Sequence, residues 1–299
     1  MTILFKNQIK ERVLEELEQC EDSLQLVSAF CKESVVKFLD DNCRIAVPQK
    51  RLLVRFRKSD LISKASDLSL YDYCIEHNWD LYINFSLHAK IFIFDSLRYV
   101  IGSSNLTGKG FLFDEGNYEA ATFDYLDDDD CQRINNLFAS STLMTPELYE
   151  KMKQEMNSVE PSTKIEGAGW SDDIKELVKD ELSVLFAEDF PPTEDVRSLY
   201  HQPISFLNLQ TNQSPDDIKQ AFLNSKCFSW LKKILKENNS EMYFGAITAC
   251  LHDALINEPK PYRRDVKILL QNLLSWINCL NINEVKIDRP GYSQRVRLM

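Results

Sequence analysis

The chain runs to 299 residues, long enough for two domains with cores of their own. With 44% hydrophobic and 27% charged residues it has the composition expected of a soluble globular protein, and no apolar run approaches the roughly 18 residues that a membrane span requires. A net charge of −11 argues against indiscriminate polyanion binding, because phosphates are neutralised by local positive charge and only a basic patch could supply it.

In chain order, residues 1–10 lack the long apolar core of a signal peptide, and a cytoplasmic location is expected. Residues 6–20 carry Ile9, Val13, Leu14 and Leu17 at helical spacing. Runs rich in β-branched and aromatic residues then predict strands over 23–30, 52–56, 80–85, 89–95, 99–103 and 118–124, with helices over 32–41 and 61–77 between them. Such alternation argues for an α/β layered fold. The acidic run at 127–130 reads as an exposed helix start, where carboxylates complement the helix dipole.

Nine of the ten prolines fall after residue 145, and the pattern becomes mainly helical there. Thr145-Pro146 and Ser214-Pro215 each set a capping hydroxyl before a proline suited to the first helical position. Residues 171–186 carry Ile174, Leu177, Val178, Leu182 and Leu185 at helical spacing, and further helices are predicted over 243–256 and 262–279. The polar segment 158–169, broken by Pro161, Gly167 and Gly169, is the candidate linker, which divides the chain into domains at 1–157 and 170–299. In the tail, a strand over 285–288, a turn and a second strand through Val296 and Leu298 complete the second domain. The eight cysteines form no Cys-x-x-Cys pair and no cluster with histidines, which argues against a zinc site and for buried free thiols.

Positive charge gathers in two places. Arg44, Lys50, Arg51, Arg55, Arg57, Lys58 and Lys64 precede the strand at 89–95; Arg263, Arg264, Lys267, Lys286, Arg289, Arg295 and Arg297 lie near the C-terminus. Of these, Arg55, Arg57 and Lys58 are the candidate nucleic-acid contacts.

The chemistry concentrates between residues 87 and 107, which read LHAKIFIFDSLRYVIGSSNLT. The window sets His88, Lys90, Asp95, Gly102, Ser103 and Asn105 at the spacing His-x-Lys-x4-Asp-x6-Gly-Ser-x-Asn. Side chains alternate along a strand, so Lys90, Phe92 and Phe94 form an outward set and His88 points to the same side as Lys90. An imidazole, an ammonium and a carboxamide then line one cleft, enough to hold and attack a phosphodiester. Gly102 lets backbone approach closely at the following turn.

This window resembles the HKD motif of the phospholipase D superfamily at all six signature positions, and Asn117-Tyr118-Glu119 resembles the family's following Asn-x-Glu element. The direct resemblance covers roughly residues 20–125 and implies a mixed sheet flanked by helices there, while the mainly helical C-terminal domain is expected from its own apolar spacing alone. It implies that His88 attacks phosphorus to give a phosphohistidine, that Lys90 and Asn105 bind the non-bridging oxygens in place of a metal ion, and that no cofactor is needed. Ser103 would add a hydrogen bond, Glu119 would orient the imidazole, and Asp95 and Gly102 would be structural.

The reaction takes two histidines, one to attack and one to move the proton, and His77, His201 and His252 have no lysine two residues on. A two-fold homodimer with one composite site is therefore expected. The resemblance points to a metal-independent DNA endonuclease of the restriction or antiphage-defence kind with one motif per chain, the second domain choosing substrate or docking a partner. Two other readings stay open: a non-catalytic scaffold subunit of a helicase-containing defence complex, and a lipid-acting phospholipase or phosphatidyltransferase, which would want a second motif or a membrane-facing apolar surface. His88→Ala separates chemistry from scaffolding.

Overall fold

The computed structural model describes residues 2–159, 168–179 and 181–299. It divides the chain into two compact units, Met1–Lys179 and Asp180–Met299. Residues 160–167 of the expected linker lie outside the described residues. Past them, Trp170, Ile174 and Val178 pack into the core of the first unit, which is why that unit extends to Lys179.

The first unit is built on an eight-stranded mixed sheet of order β1-β7-β6-β5-β2-β3-β4-β8. Its strands are β1 (Thr2–Phe5), β2 (Ser23–Ser28), β3 (Gln49–Val54), β4 (Trp79–Ile83), β5 (Lys90–Phe94), β6 (Arg98–Gly102), β7 (Ala120–Tyr125) and β8 (Thr142–Leu143). The β2–β3 and β3–β4 pairs are parallel, joined through helices as parallel connections require; every other neighbour is antiparallel. All six residues of β2 are buried, as expected of a central strand covered on both faces.

On one face, α1 (Asn7–Glu18), α2 (Glu33–Asp41), α4 (Leu70–Glu76) and α6 (Pro146–Asn157) supply Ile9, Val13, Val36, Leu39, Leu70, Cys74, Leu148 and Met152 to the main core. Phe92 and Phe94 of β5 belong to that core, so the Lys90 face of the strand is packed, not outward. On the other face, α5 (Asp128–Ala139) brings Phe138 against Val27, Leu53, Leu87 and Ile93. That cover stops short of β7 and β1: opposed residues Ile3, Thr122 and Ile101 run across this side of the sheet, and Ile3 is 63% and Ile101 38% exposed.

Two expected helices differ. Residues 61–77 form α3 (Lys58–Ile62) and α4, separated because Asp60 accepts hydrogen bonds from Arg55 and Arg57 and its carbonyl oxygen takes the amides of Ala65 and Ser66, closing the first helix after one turn. Residues 171–186 form one helical turn, α7 (Asp172–Lys175); Ile174 and Val178 serve the first core whereas Leu185 serves that of the second unit, so the apolar spacing there does not define one face. The capped starts hold: Thr145 Oγ1 accepts from Leu148 N at 3.2 Å, and Asp127 Oδ1 from Asp130 N at 2.7 Å.

The second unit is mainly helical. It contains α8 (Pro215–Leu223), α9 (Lys226–Glu237), α10 (Phe244–Ala254) and α11 (Arg263–Cys279), with a sheet of order β10-β11-β9 from β9 (Glu241–Tyr243), β10 (Val285–Asp288) and β11 (Arg295–Leu298). Trp276, Phe222, Phe228 and Leu231 centre its core. Two buried donors are met by carbonyls of an earlier loop: Asn272 Nδ2 donates to the Pro191 carbonyl and Trp276 Nε1 to that of Thr193, both at 2.8 Å. All eight cysteines are unpaired, and no helix among the described residues is long and apolar enough to cross a membrane.

Candidate active site

The motif residues gather where β2, β3 and β6 end and where β5 and β7 begin. Ser28, the last residue of β2, sits opposite Lys90, the first of β5, so the two share a sheet face. Ser28 is wholly buried; its Oγ donates to the Phe30 carbonyl at 2.6 Å and accepts the Leu106 amide at 3.0 Å. This one hydroxyl ties the β2 exit to the loop after β6.

Asn105 lies on that loop with a defined orientation. Its Oδ1 accepts the Phe30 amide at 3.1 Å and lies 3.4 Å from the Ser28 hydroxyl oxygen, which turns the carboxamide oxygen inward and leaves its NH2 group without a protein acceptor among the described residues. Lys90 is 8% exposed, and its ammonium donates to the His88 carbonyl at 2.6 Å. Its pKa is held below the ordinary lysine value of 10.5 by burial and by the neighbouring charge of Arg55, against an opposing pull from Glu119. His88 itself, just ahead of β5, is exposed.

Glu119, immediately before β7, takes a hydrogen bond from Ser103 Oγ and one from Asn117 Nδ2 at 3.0 Å, while Ser103 Oγ accepts the Ala120 amide at 3.1 Å. Ser103 thus spends its proton on Glu119. Within one chain no hydrogen bond joins Glu119 to the His88 ring among the described residues. Gly102 explains the close strand spacing: a Cβ there would stand 2.3 Å from the Ala120 carbonyl oxygen.

Asp95 has a different task. It turns the chain between β5 and β6 at φ 54°, and its Oδ1 accepts the amides of Glu21, Asp22 and Ser23 at 3.0, 2.8 and 3.2 Å while Oδ2 pairs with Arg98 at 2.8 Å. Burial pushes its pKa up, but the amides of Asp22, Ser23 and Glu21 outweigh it, and the carboxyl sits below the ordinary range. It fastens the α1–β2 loop to the β5–β6 turn, at the strand ends away from His88.

The three basic residues read as nucleic-acid contacts fare unequally. Arg55 forms a bidentate pair with Asp60 at 2.8 Å and stacks over the Phe30 ring, its centroid 4.7 Å from the guanidinium carbon. Lys58 pairs with Glu155 at 2.6 Å. Arg57 donates to the Phe85 carbonyl and remains exposed. In the second unit, Arg295 and Arg297 are bound to Asp288, whereas Arg263, Arg264 and Lys267 are exposed. Ser28 and the Phe30 amide were not read from the sequence; a serine inside the apolar run SLQLVSAF was the available sign.

Residues 13–142 match the family described as "Cardiolipin synthase, PLD-like domain". Among solved structures, the chain is similar to Nuc of Salmonella typhimurium, a phospholipase D family member, at 14% identity and TM-score 0.37, over 46% of this chain and 91% of that one. It is similar to NucT of Helicobacter pylori at 12% identity and TM-score 0.36, over 51% and 94%. It is also similar to phosphatidylserine synthase of Haemophilus influenzae at 12% identity and TM-score 0.40, over 52% and 42%. No curated protein matches the chain. Residues 13–142 thus form a PLD-like domain.

Proposed function

We propose that the chain is a phosphodiesterase that cleaves DNA through a phosphohistidine on His88. The observation that carries this reading is the fixed pair beside that residue: the buried Lys90 ammonium and the Asn105 NH2, whose oxygen is pinned by the Phe30 amide. Two such donors, held before substrate arrives, match the non-bridging oxygens of a phosphodiester and offset charge that develops as phosphorus is attacked. The task given to Mg2+ in many phosphoryl-transfer sites falls here to protein groups.

In the first step a His88 ring nitrogen bonds to phosphorus and the leaving oxygen departs, taking a proton from a second imidazole. In the next, that imidazole takes a proton from water, the hydroxide oxygen bonds to phosphorus, and the nitrogen–phosphorus bond breaks to release a monoester. The chain has four histidines, and among them only His88 has a lysine two residues on, so the second imidazole is supplied by His88 of another copy across a two-fold axis. The uncovered sheet side bearing Ile3, Phe5 and Ile101 is the apolar surface offered to that copy.

The test is hydrolysis of bis(p-nitrophenyl) phosphate, labelled DNA, labelled RNA and phospholipid in EDTA, by wild type and His88→Ala. Chelator-resistant cleavage of the small diester and of DNA, abolished by the substitution, supports the reading. Activity on phospholipid alone would transfer the assignment to lipid, and no cleavage by wild type would favour a scaffold.

A further inference from the structure

Beyond Asn105 the chain makes a turn that the motif does not require. Thr107 Oγ1 accepts the Gly110 amide at 3.1 Å, and the amides of Leu112 and Phe113 reach back to the carbonyls of Thr107 and Gly108, closing a π-helical turn at Gly108–Leu112. This wide turn displaces Lys109 and Phe113 from the sheet. Opposite it runs the β2–α2 connection, joined to it where the Lys32 amide donates to the Leu106 carbonyl at 2.8 Å. Between the two walls lies a groove of about 610 Å³ lined by Phe30, Lys32, Lys64, Asp67, Lys109 and Phe113, among others.

The groove starts at the reaction centre. Phe30 provides the amide that holds Asn105, and Thr107 is two residues beyond Asn105, its amide bonded to the Asn105 carbonyl at 2.7 Å. Its charge is unevenly committed: Lys32 pairs with Asp67 at 2.6 Å, whereas the exposed Lys64 and Lys109 have no carboxylate partner among the described residues. Phe113 is 60% exposed, with its ring laid over Gly108, where a Cβ would stand 2.5 Å from a ring carbon. In a chain of net charge −11, two unpaired ammonium groups beside an exposed aromatic face are a local reversal of character that a solvated surface does not need.

We propose that this groove receives a single strand of nucleic acid, its phosphates on Lys64 and Lys109 and a base stacked on Phe113. The inference rests on the phosphodiesterase reading for its purpose and on the groove alone for its chemistry. A single strand offers free base faces and a flexible backbone, which an aromatic plane flanked by lysines engages without reading sequence. A duplex keeps its bases stacked inside, where the exposed Phe113 ring cannot reach them.

Binding is measured by fluorescence anisotropy with full-length His88→Ala, so that no turnover occurs, using a labelled oligodeoxythymidine of about 12 nucleotides, the matching duplex, and anionic phosphatidylglycerol vesicles. The Lys64→Gln, Lys109→Gln double variant is expected to weaken oligonucleotide binding at least about tenfold and to reduce its log–log salt slope by about 1.4. Phe113→Ala is expected to weaken it roughly tenfold with the salt slope unchanged. Unchanged affinity in folded double and Phe113 variants, equal affinity for the duplex, or vesicle binding in place of oligonucleotide binding would each overturn the proposal. Failure of the function itself is read separately, as lack of bis(p-nitrophenyl) phosphate hydrolysis by wild type, a substrate too short to reach the groove.

Discussion

Lys90 places its ammonium on the carbonyl oxygen of His88, 2.6 Å away, so the group read as a phosphate ligand also holds the backbone of the residue read as the nucleophile. Glu119 raises the Lys90 pKa while burial and Arg55 lower it. Because a lysine binds phosphate only when charged, activity is expected to fall on the alkaline side at a pH below the ordinary lysine value of 10.5. Glu119→Gln removes the one raising influence and should move that limb to still lower pH. A kcat/KM profile for bis(p-nitrophenyl) phosphate checks both, and a limb moved upward in Glu119→Gln would refute the assignment.

Asn105→Asp keeps an oxygen for the Phe30 amide and replaces the free NH2 with a second oxygen. The fold should survive with an unchanged melting temperature, while kcat falls about 10²- to 10³-fold, as for loss of one donor to a developing oxyanion. Equal kcat in a folded variant would remove Asn105 from the site.

Asp95 predicts the opposite pattern. Its folded pKa lies below the unfolded value of about 3.9, so the stability it contributes is full above that value and is lost as pH falls through the lower folded value. Asp95→Asn should cost about 1.5–3 kcal/mol near neutrality, the worth of hydrogen bonds to a charged group. The gap from wild type should close below about pH 4. Denaturant unfolding at several pH values measures it; turnover per folded molecule should change little.

Gly102 faces the Ala120 carbonyl across β6 and β7, where a Cβ would come within 2.3 Å. Gly102→Val should part the strands and cost about 1–3 kcal/mol of stability. Because Ser103 and Glu119 meet across the same pair, activity should fall together with melting temperature.

Ile3→Glu combined with Ile101→Glu places charge on the uncovered sheet side while leaving the main core untouched. Sedimentation should then show monomer, with diesterase activity lost although the fold persists. A monomeric variant with full activity would contradict a composite site.

Much of this was legible because local patterns are short-range. The motif spacing, the six strands and the capped helix at Thr145 are written in adjacent residues. Less visible was β1, four residues whose pairing with β7 joins Phe5 to Ala120 and depends on contacts far along the chain. Residues 171–186 misled because Val178 and Leu185 belong to separate cores. The helix α9 was readable in principle but is not among the predicted elements: Cys227, Trp230, Leu231, Ile234 and Leu235 recur at helical spacing and form its buried face. The inward turn of the Asn105 carboxamide was not, since it depends on the Phe30 amide, which carries no side-chain signature.

The most direct test of the central claim is to quench the enzyme during turnover of a phosphorus-labelled diester and map any covalent label by mass spectrometry. The account predicts an acid-labile, base-stable phosphoryl adduct on His88, absent from His88→Ala. Turnover by wild type with retention of label only on water-derived product, and with His88→Ala equally active, would contradict it.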